Sequence, residues 1–542
     1  MTESKSLSFS SEGEYSPIAY HSVNDLGSSV VVPEHKFHFH HQGTMLCLFF
    51  LVGVFTIPTE TVANSYVAGV FEHRVILNPD PRVPVTRQEA LQHMTKNLDV
   101  YEEQAARAAQ QGVDILVFPE DGIHGFNFTR SSISGYLETV PDPQQETWNP
   151  CMEPGRHNNT EVLQRLSCIA RRYKLYVVAN MPDLQPCPLQ SDPSSSCPPD
   201  GRWQFNTNVV FSSEGLLVAR YHKQNLYFED SFDTPPQPEI ITFDTPFGGR
   251  FGLIICFDIL FHDPTVTLVE RGVRQLIFPT AWMNALPLLD SIQFQRAFSL
   301  GANVTLLAAN TRNDGLIMTG SGIFTPFSAT YHHAQPGDPE EGRLLVARVP
   351  VLEERADVAA KVPSPSFAVA DHCAKESCAD LSADPASTSF ISDMMHDPFT
   401  FVLLNKMEDN VKVCNGTFCC QLQYKWMAQS KELYALGAFS GLHTVNGRYS
   451  LQVCAVVRCA SEDASSCGQK VEEAESRMDF VLEGRFDTKY VYPSVLVSPM
   501  VLEQPEQLEK TEDGRVAMKH GSMSGGLITA CLYGRAYHLD NE

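Results

Sequence analysis

The sequence predicts an α/β layered domain on a mixed sheet, followed by a second, β-rich domain stapled by disulfides. Three observations carry this. Between residues 67 and 355, segments of helical periodicity alternate with short apolar runs, the pattern of strands and crossover helices. Two pairs of those runs are joined by tight turns, so hairpins sit among the crossovers and the sheet is mixed. From about residue 361 the chain turns into short strand-like runs crowded with cysteine.

The elements follow in order. Residues 1–44 are polar and lack periodicity, and "MLCLFFLVGVFTI", Met45–Ile57, is apolar throughout. That run is short for a membrane span of about 20 residues and suits a signal-peptide core. Its lead is long and acidic rather than short and basic, so a membrane anchor and a buried helix stay as alternatives. Thr86 and Glu89 form a capping box. Leu91, Met94, Leu98, Tyr101 and Ala105 then recur at helical spacing up to Gly112, a C-terminal stop. "VDILVFPED" reads as a buried strand ending at Glu120. "EVLQRLSCIARRY" reads as helix and "LYVVAN" as strand. "TNVVFS" and "LLVARYHK" form one hairpin, "EIITFD" and "RFGLIIC" another. Helix, strand, helix and strand follow at "PTVTLVERG", "RQLIFPT", "SIQFQRAFSLGA" and "VTLLAAN". The domains expected are therefore 1–57, an N-terminal extension, 58–360, the α/β domain, and 361–542, the β-rich domain.

A chain of 542 residues exceeds what one core supports. The net charge of -24 leaves no excess of Lys and Arg to neutralise phosphates, which argues against nucleic acid as a partner. No Gly-x-Gly-x-x-Gly or Walker-type loop follows the first strand, so nucleotide binding is not signalled. Fifteen cysteines are unusual for a protein kept reduced in the cytosol. Four Asn-x-Ser/Thr triplets, at Asn127, Asn158, Asn303 and Asn415, are expected glycan acceptors. No hydrophobic tail signals a glycolipid anchor. A secreted, extracellular glycoprotein without stable membrane insertion is expected. In the Cys-rich half a zinc site competes with disulfides, but no matched Cys-x-x-Cys pairs occur, and export favours disulfides.

Cys256 stands apart, with no cysteine within fifty residues on either side. Packing alone would explain a buried cysteine. A nucleophile is the other reading, because Glu120, Lys223 and Cys256 each follow an apolar run, and ligands gather at the carboxyl ends of strands in open α/β sheets. A thiol nucleophile needs a base, which Glu120 could supply. The oxyanion needs a fixed positive group, which Lys223 and the Phe257 N–H could supply. Each has a plain alternative: a helix N-terminal acid for Glu120, a solvated hairpin charge for Lys223. Asp258 reads as an acid facing the backbone or the helix "PTVTLVERG". Trp282 and Met283 either line a pocket or pack on the sheet. His443, alone in a turn, reads as structural, and the second domain shows no catalytic constellation.

Three segments, "FPEDGIHGFNF", "RYHKQNLYFE" and "ICFDILFHDP", resemble the signature segments of the nitrilase superfamily. "FPTAWMNALPLL", "MTGSGI" and the region from "CNGTFCC" to "GLHTVNGRY" resemble its biotinidase and vanin branch, and the resemblance runs from about Tyr66 to about Leu539. It implies an αββα sandwich, with Glu120 as general base, Lys223 as transition-state stabiliser and Cys256 as nucleophile. It also implies hydrolysis of a small-molecule carboxamide through a thioester, with no metal and no cofactor. Within the branch, "EDGIHGFNFTR" and "NLYFEDSFDTP" lean toward cleavage of biotin amides (biocytin or biotinyl peptides). Pantetheine hydrolysis is the alternative, and a non-catalytic vitamin carrier a further one. Many members use a second glutamate; Glu229 is the nearest candidate, but its spacing from Lys223 differs from the common pattern.

Overall fold

The structure, a computed structural model, describes residues 64–187, 197–335, 337–339, 341–352 and 389–540. Residues Thr61–Glu542 form one compact unit. The apolar segment at 45–57, the composition change near residue 361, and Cys47, Cys373 and Cys378 lie outside the described residues.

Twelve strands form a continuous mixed sheet folded into two halves. In the first half Ser65–Arg74 pairs parallel with Ile115–Val117, and that strand pairs parallel with Tyr176–Pro186. Arg202–Phe211 and Leu217–His222 continue antiparallel. The second half has Gly249–Leu253, Gln275–Thr280 and Thr305–Arg312 in parallel, edged by hairpin strands. The halves join where His73 and Arg74 pair with Thr311 and Arg312. Their inner faces meet, Val70, Val117, Val178 and Val210 sharing a core with Leu253, Ile277 and Leu307. Each such side chain stabilises the fold by roughly 1.5–3 kcal/mol.

Helices cover the outer faces, giving the αββα layering. Helix α1, Arg87–Gln110, opens on the expected capping box. Its stripe of Ala90, Met94, Leu98 and Tyr101 is buried against Leu116 and Val177. Gly112 has φ +70, the left-handed conformation that ends a helix at low cost. Helix α2, Glu161–Tyr173, lies beside α1. Helices α3, Thr267–Glu270, and α4, Ser291–Ala302, belong to the other half.

The β-rich C-terminal part contains a seven-stranded and a five-stranded sheet. Strand Phe418–Ala428 alternates buried and exposed residues and faces a core with Trp426, Leu436, Val456 and Leu482. Three disulfides lie here: Cys414–Cys419, Cys420–Cys454 and Cys459–Cys467. Two more, Cys151–Cys168 and Cys187–Cys197, lie in the α/β part. Strand Val491–Val497 packs on α4, and a Cβ at Gly301 would sit 2.6 Å from the Val491 carbonyl, so glycine permits that approach.

Two local expectations are corrected. The strand before Glu120 spans only Ile115–Val117. Phe118 still donates to the Val178 carbonyl, but Pro119 has no N–H and the ladder ends. Cys256 is not a strand residue: strand Gly249–Leu253 has ended, and Cys256 begins a 3₁₀ turn, Cys256–Leu260.

Candidate active site

Three chain exits converge. Glu120 sits in the turn after Ile115–Val117, its carbonyl accepting from Thr311 Oγ1 at 2.9 Å. Lys223 directly follows strand Leu217–His222, its N–H bonded to the Asn206 carbonyl at 2.9 Å. Cys256 has φ +43. A side chain in that left-handed region costs roughly 1–2 kcal/mol, and such strain persists where the surroundings over-determine it.

Lys223 Nζ donates to Glu120 Oε1 at 2.7 Å and also to Glu229 Oε1. Asn206 Nδ2 ties both carboxylates, at 2.8 Å to Glu120 Oε1 and 2.7 Å to Glu229 Oε2. The other Glu120 oxygen accepts from the Ala281 N–H at 2.9 Å. Asn180 Nδ2 donates to Asn206 Oδ1 at 2.6 Å, which fixes the Asn206 amide orientation. Sequence reasoning missed Asn206; its trace is an asparagine inside a strand that is otherwise buried. Glu229 does join the site despite its unusual spacing.

Glu120, Lys223 and Cys256 are 2%, 1% and 7% exposed, so proton movement among them is shielded from bulk water. Burial opposes the Lys223 charge, but Glu120 and Glu229 outweigh it and hold its pKa well above the usual lysine range. Burial raises Glu229 above an ordinary carboxylate, with Lys223 opposing. Burial, then the Glu120 charge, pushes the Cys256 thiol far up; Lys223, the Thr280 hydroxyl and the Ala281 N–H pull the other way. Burial and the neighbouring Glu120 thus favour the protonated form of the Cys256 thiol.

Of these three residues, only Cys256 lines the adjoining cavity of about 500 Å³. Trp282, Leu286 and Leu289 form apolar wall there, and the C-terminal part contributes His443, Asn446 and Tyr449. Trp282 meets both expectations: it lines the cavity, stacks on Phe294, and donates from Nε1 to the Leu289 carbonyl at 2.9 Å. Met283 also lines it. His443 is structural, its Nδ1 2.8 Å from Asp397 Oδ2, yet it faces the cavity as well. The β-rich domain, in which the sequence shows no catalytic constellation, thus supplies part of the wall.

Asp258 meets the first of its two expected readings: it faces backbone N–H groups and not the helix Thr267–Glu270. Its Oδ2 accepts from the Ile255 N–H at 3.0 Å and Tyr221 Oη at 2.7 Å. Its Oδ1 accepts from the N–H and Nδ2 of Asn225, both at 2.9 Å. The carboxylate therefore braces the Cys256 turn to the segment that follows Lys223. Burial raises its pKa to about 6, while the Tyr221 hydroxyl and the other donors hold it down.

The glycan candidates lie away from this cluster of side chains. Asn127, Asn158 and Asn303 are exposed. Asn415 is half-buried, and its Nδ2 donates to Thr400 Oγ1 at 3.1 Å.

Comparison with known proteins adds identity to this geometry. The carbon–nitrogen hydrolase family matches residues 87–322, and the vanin C-terminal domain family matches residues 388–540. The chain is 69% identical over 500 residues to a biotinidase of Takifugu rubripes, covering 91% of this chain and 98% of that protein. It is 48% identical over 498 residues to a biotinidase of Bos taurus, covering 88% and 93%. It is 44% identical over 497 residues to a pantetheinase of Sus scrofa, covering 90% and 92%.

Proposed function

We propose that this chain, which belongs to the biotinidase family of carbon–nitrogen hydrolases, hydrolyses biotin amides such as biocytin and biotinyl peptides. The observation that carries the reading is the free buried thiol of Cys256 opening on a largely apolar cavity, with a carboxylate–ammonium pair beside it.

Glu120 takes the thiol proton as Cys256 Sγ attacks the amide carbonyl carbon. The carbonyl π pair moves to oxygen, and the oxyanion meets Lys223 and the Phe257 N–H. Phe257 lies one residue before Asp258, whose N–H bonds the Ile255 carbonyl at 3.0 Å. The proton passes from Glu120 to the leaving nitrogen, the C–N bond breaks, and a thioester remains. Water then gives its proton to Glu120 and attacks the thioester. The thiol is restored and biotin leaves as the carboxylic acid. Asn206 and Glu229 hold Lys223 and Glu120 in register.

The cavity volume lies within the roughly 300–1,000 Å³ typical of small-molecule sites. The Trp282 wall suits the hydrocarbon part of a biotinyl group. Secretion accounts for five disulfides, with glycans on Asn127, Asn158, Asn303 and Asn415; the last requires its Thr400 bond to yield. Among the described residues no helix is long and apolar enough to cross a membrane. The N-terminal extension, catalytic domain and β-rich domain are assigned to 1–57, 58–360 and 361–542.

Pantetheine hydrolysis is the second reading, supported by the likeness to pantetheinases. The test gives biocytin and pantetheine separately to wild type and Cys256→Ala, following lysine and cysteamine release. Biocytin cleavage abolished in the variant supports the proposal. Cleavage of pantetheine alone transfers the mechanism to that substrate. Neither, in folded protein, leaves a vitamin carrier.

A further inference from the structure

We propose that Asp393, on the hairpin that closes the cavity from the C-terminal side, forms the subsite for the leaving amine and selects a cationic one. The proposal rests on the biotin-amide reading and assigns its second half.

Strands Phe390–Met394 and Asp397–Leu403 pair with Met394 opposite Asp397, so Met395 and His396 are the whole turn. Both are left-handed, at φ 56 and 69. Two-residue turns of this kind normally use asparagine and glycine. A methionine and a histidine here are strained, and strain of this type gathers at ligand sites. The surroundings hold the turn in place. Ser392 Oγ donates to the Cys467 carbonyl at 2.9 Å, and Asp397 is paired with the buried His443. A Cβ at Gly468 would lie 2.7 Å from Met394 Cβ, so the hairpin packs tightly on the disulfide loop.

The hairpin marks the mouth of the cavity. Asp393 and His396 are exposed there, as are Met283 and Asn446, whereas Leu260, Leu286 and Leu289 of the lining are buried. A biotinyl peptide can bind only if its peptide side faces solvent, so the leaving group lies at the hairpin and the acyl chain at the apolar wall. The charge at the mouth is one-sided. Among the described residues the cavity lining includes no lysine or arginine, and Asp393 is its one carboxylate. The Asp393 side chain has no hydrogen-bond or ion-pair partner among the described residues. His443 is committed to Asp397 and the Val445 carbonyl. The lysine that leaves biocytin carries an α-ammonium beside its carboxylate, and that ammonium finds a partner here.

The test uses the full secreted chain and two amides of biotin, one with pentane-1,5-diamine and one with hexylamine. They are equal in length, and a terminal ammonium replaces a methyl. Wild type is expected to favour the cationic amide in kcat/KM by roughly threefold to fivefold, as one exposed ion pair allows. The preference resides in KM and shrinks at high salt. It falls to about one in Asp393→Asn and persists in Asp393→Glu. A wild type without the preference, or an equal ratio in Asp393→Asn, overturns the subsite. Folded wild type that cleaves neither amide overturns the biotin-amide reading, and the subsite with it.

Discussion

Arg535 Nε donates to the main-chain carbonyl of Leu260 at 2.9 Å. Arg535 ends strand Leu527–Arg535 of the β-rich part, and Leu260 ends the turn that begins with Cys256. The guanidinium is fully buried, stacked near Tyr449 and Tyr537, and paired with Asp540 at 2.7 Å. Its planar fork serves Leu260, Ser450 and Asp540 at once. The second domain therefore holds the turn that begins with Cys256.

Arg535→Lys keeps the charge and loses the fork. We expect a stability loss of roughly 1–3 kcal/mol from the hydrogen bonds left unmade and a lower kcat. Thermal unfolding and steady-state kinetics read the two effects. A lower melting point with kcat intact would mean that the turn holds its shape without the clamp.

Glu120 and Glu229 share Lys223 and Asn206, but only Glu120 also binds the Ala281 N–H. Glu120→Gln should lower kcat by roughly 10²–10⁴-fold, the contribution of a general base. Glu229→Gln disturbs positioning and should cost roughly tenfold, about one hydrogen bond to a charged group. The reverse ranking would move the base to Glu229.

Asp258→Asn replaces an acceptor of four hydrogen bonds with a group that carries one oxygen. Its amide must oppose at least one donor. We expect roughly 1–3 kcal/mol of destabilisation, with chemistry retained in the folded fraction. A variant of wild-type melting temperature with no turnover would refute this order.

His222, beside Lys223, lies between Asp183 and Glu239 at 2.8 and 2.9 Å. Burial works against its charge, yet the two carboxylates raise its pKa above the ordinary 6.5. The stability it contributes is complete below about pH 6.5 and is lost as pH rises through the folded-state value. Glu239 is shifted downward by His222 against the effect of burial, so its share fades as pH falls below 4.5. His222→Gln should flatten the alkaline decline of the melting temperature. An unchanged profile would show that other groups set it.

Cys420–Cys454 joins the five-stranded to the seven-stranded sheet and closes 34 residues; Cys414–Cys419 closes a 5-residue hairpin. Longer loops gain more from closure. Replacing the first pair with alanine should cost roughly 2–5 kcal/mol, and the second pair clearly less. Differential scanning calorimetry of the two double variants decides, and equal losses would contradict the loop argument.

Much of the fold is legible in the order of residues along the chain. The capping box at Thr86 and Glu89, helix α2 and both hairpins depend on residues a few positions apart, and all of them form. The ends of apolar runs mark Glu120, Lys223 and Cys256, and the family resemblance gives them roles. What escapes such reading are contacts across the fold. Asn206 meets Glu120 from 86 residues away, and Arg535 meets Leu260 from 275. No local periodicity encodes such pairs.

The sequence by itself determined the layers, the alternation of strands and helices, the disulfide-rich second half and the three chain exits at Glu120, Lys223 and Cys256 that the fold brings together. Its hydrophobic periods and turn residues act locally, and local rules suffice for those features. Tertiary structure alone decided that Cys256 leaves its strand with a left-handed φ to begin a 3₁₀ turn, that Asp258 braces that turn, and that the second domain walls the cavity with His443 and Tyr449. Those outcomes depend on strand register and on how two domains pack, which is set by contacts summed over the whole unit.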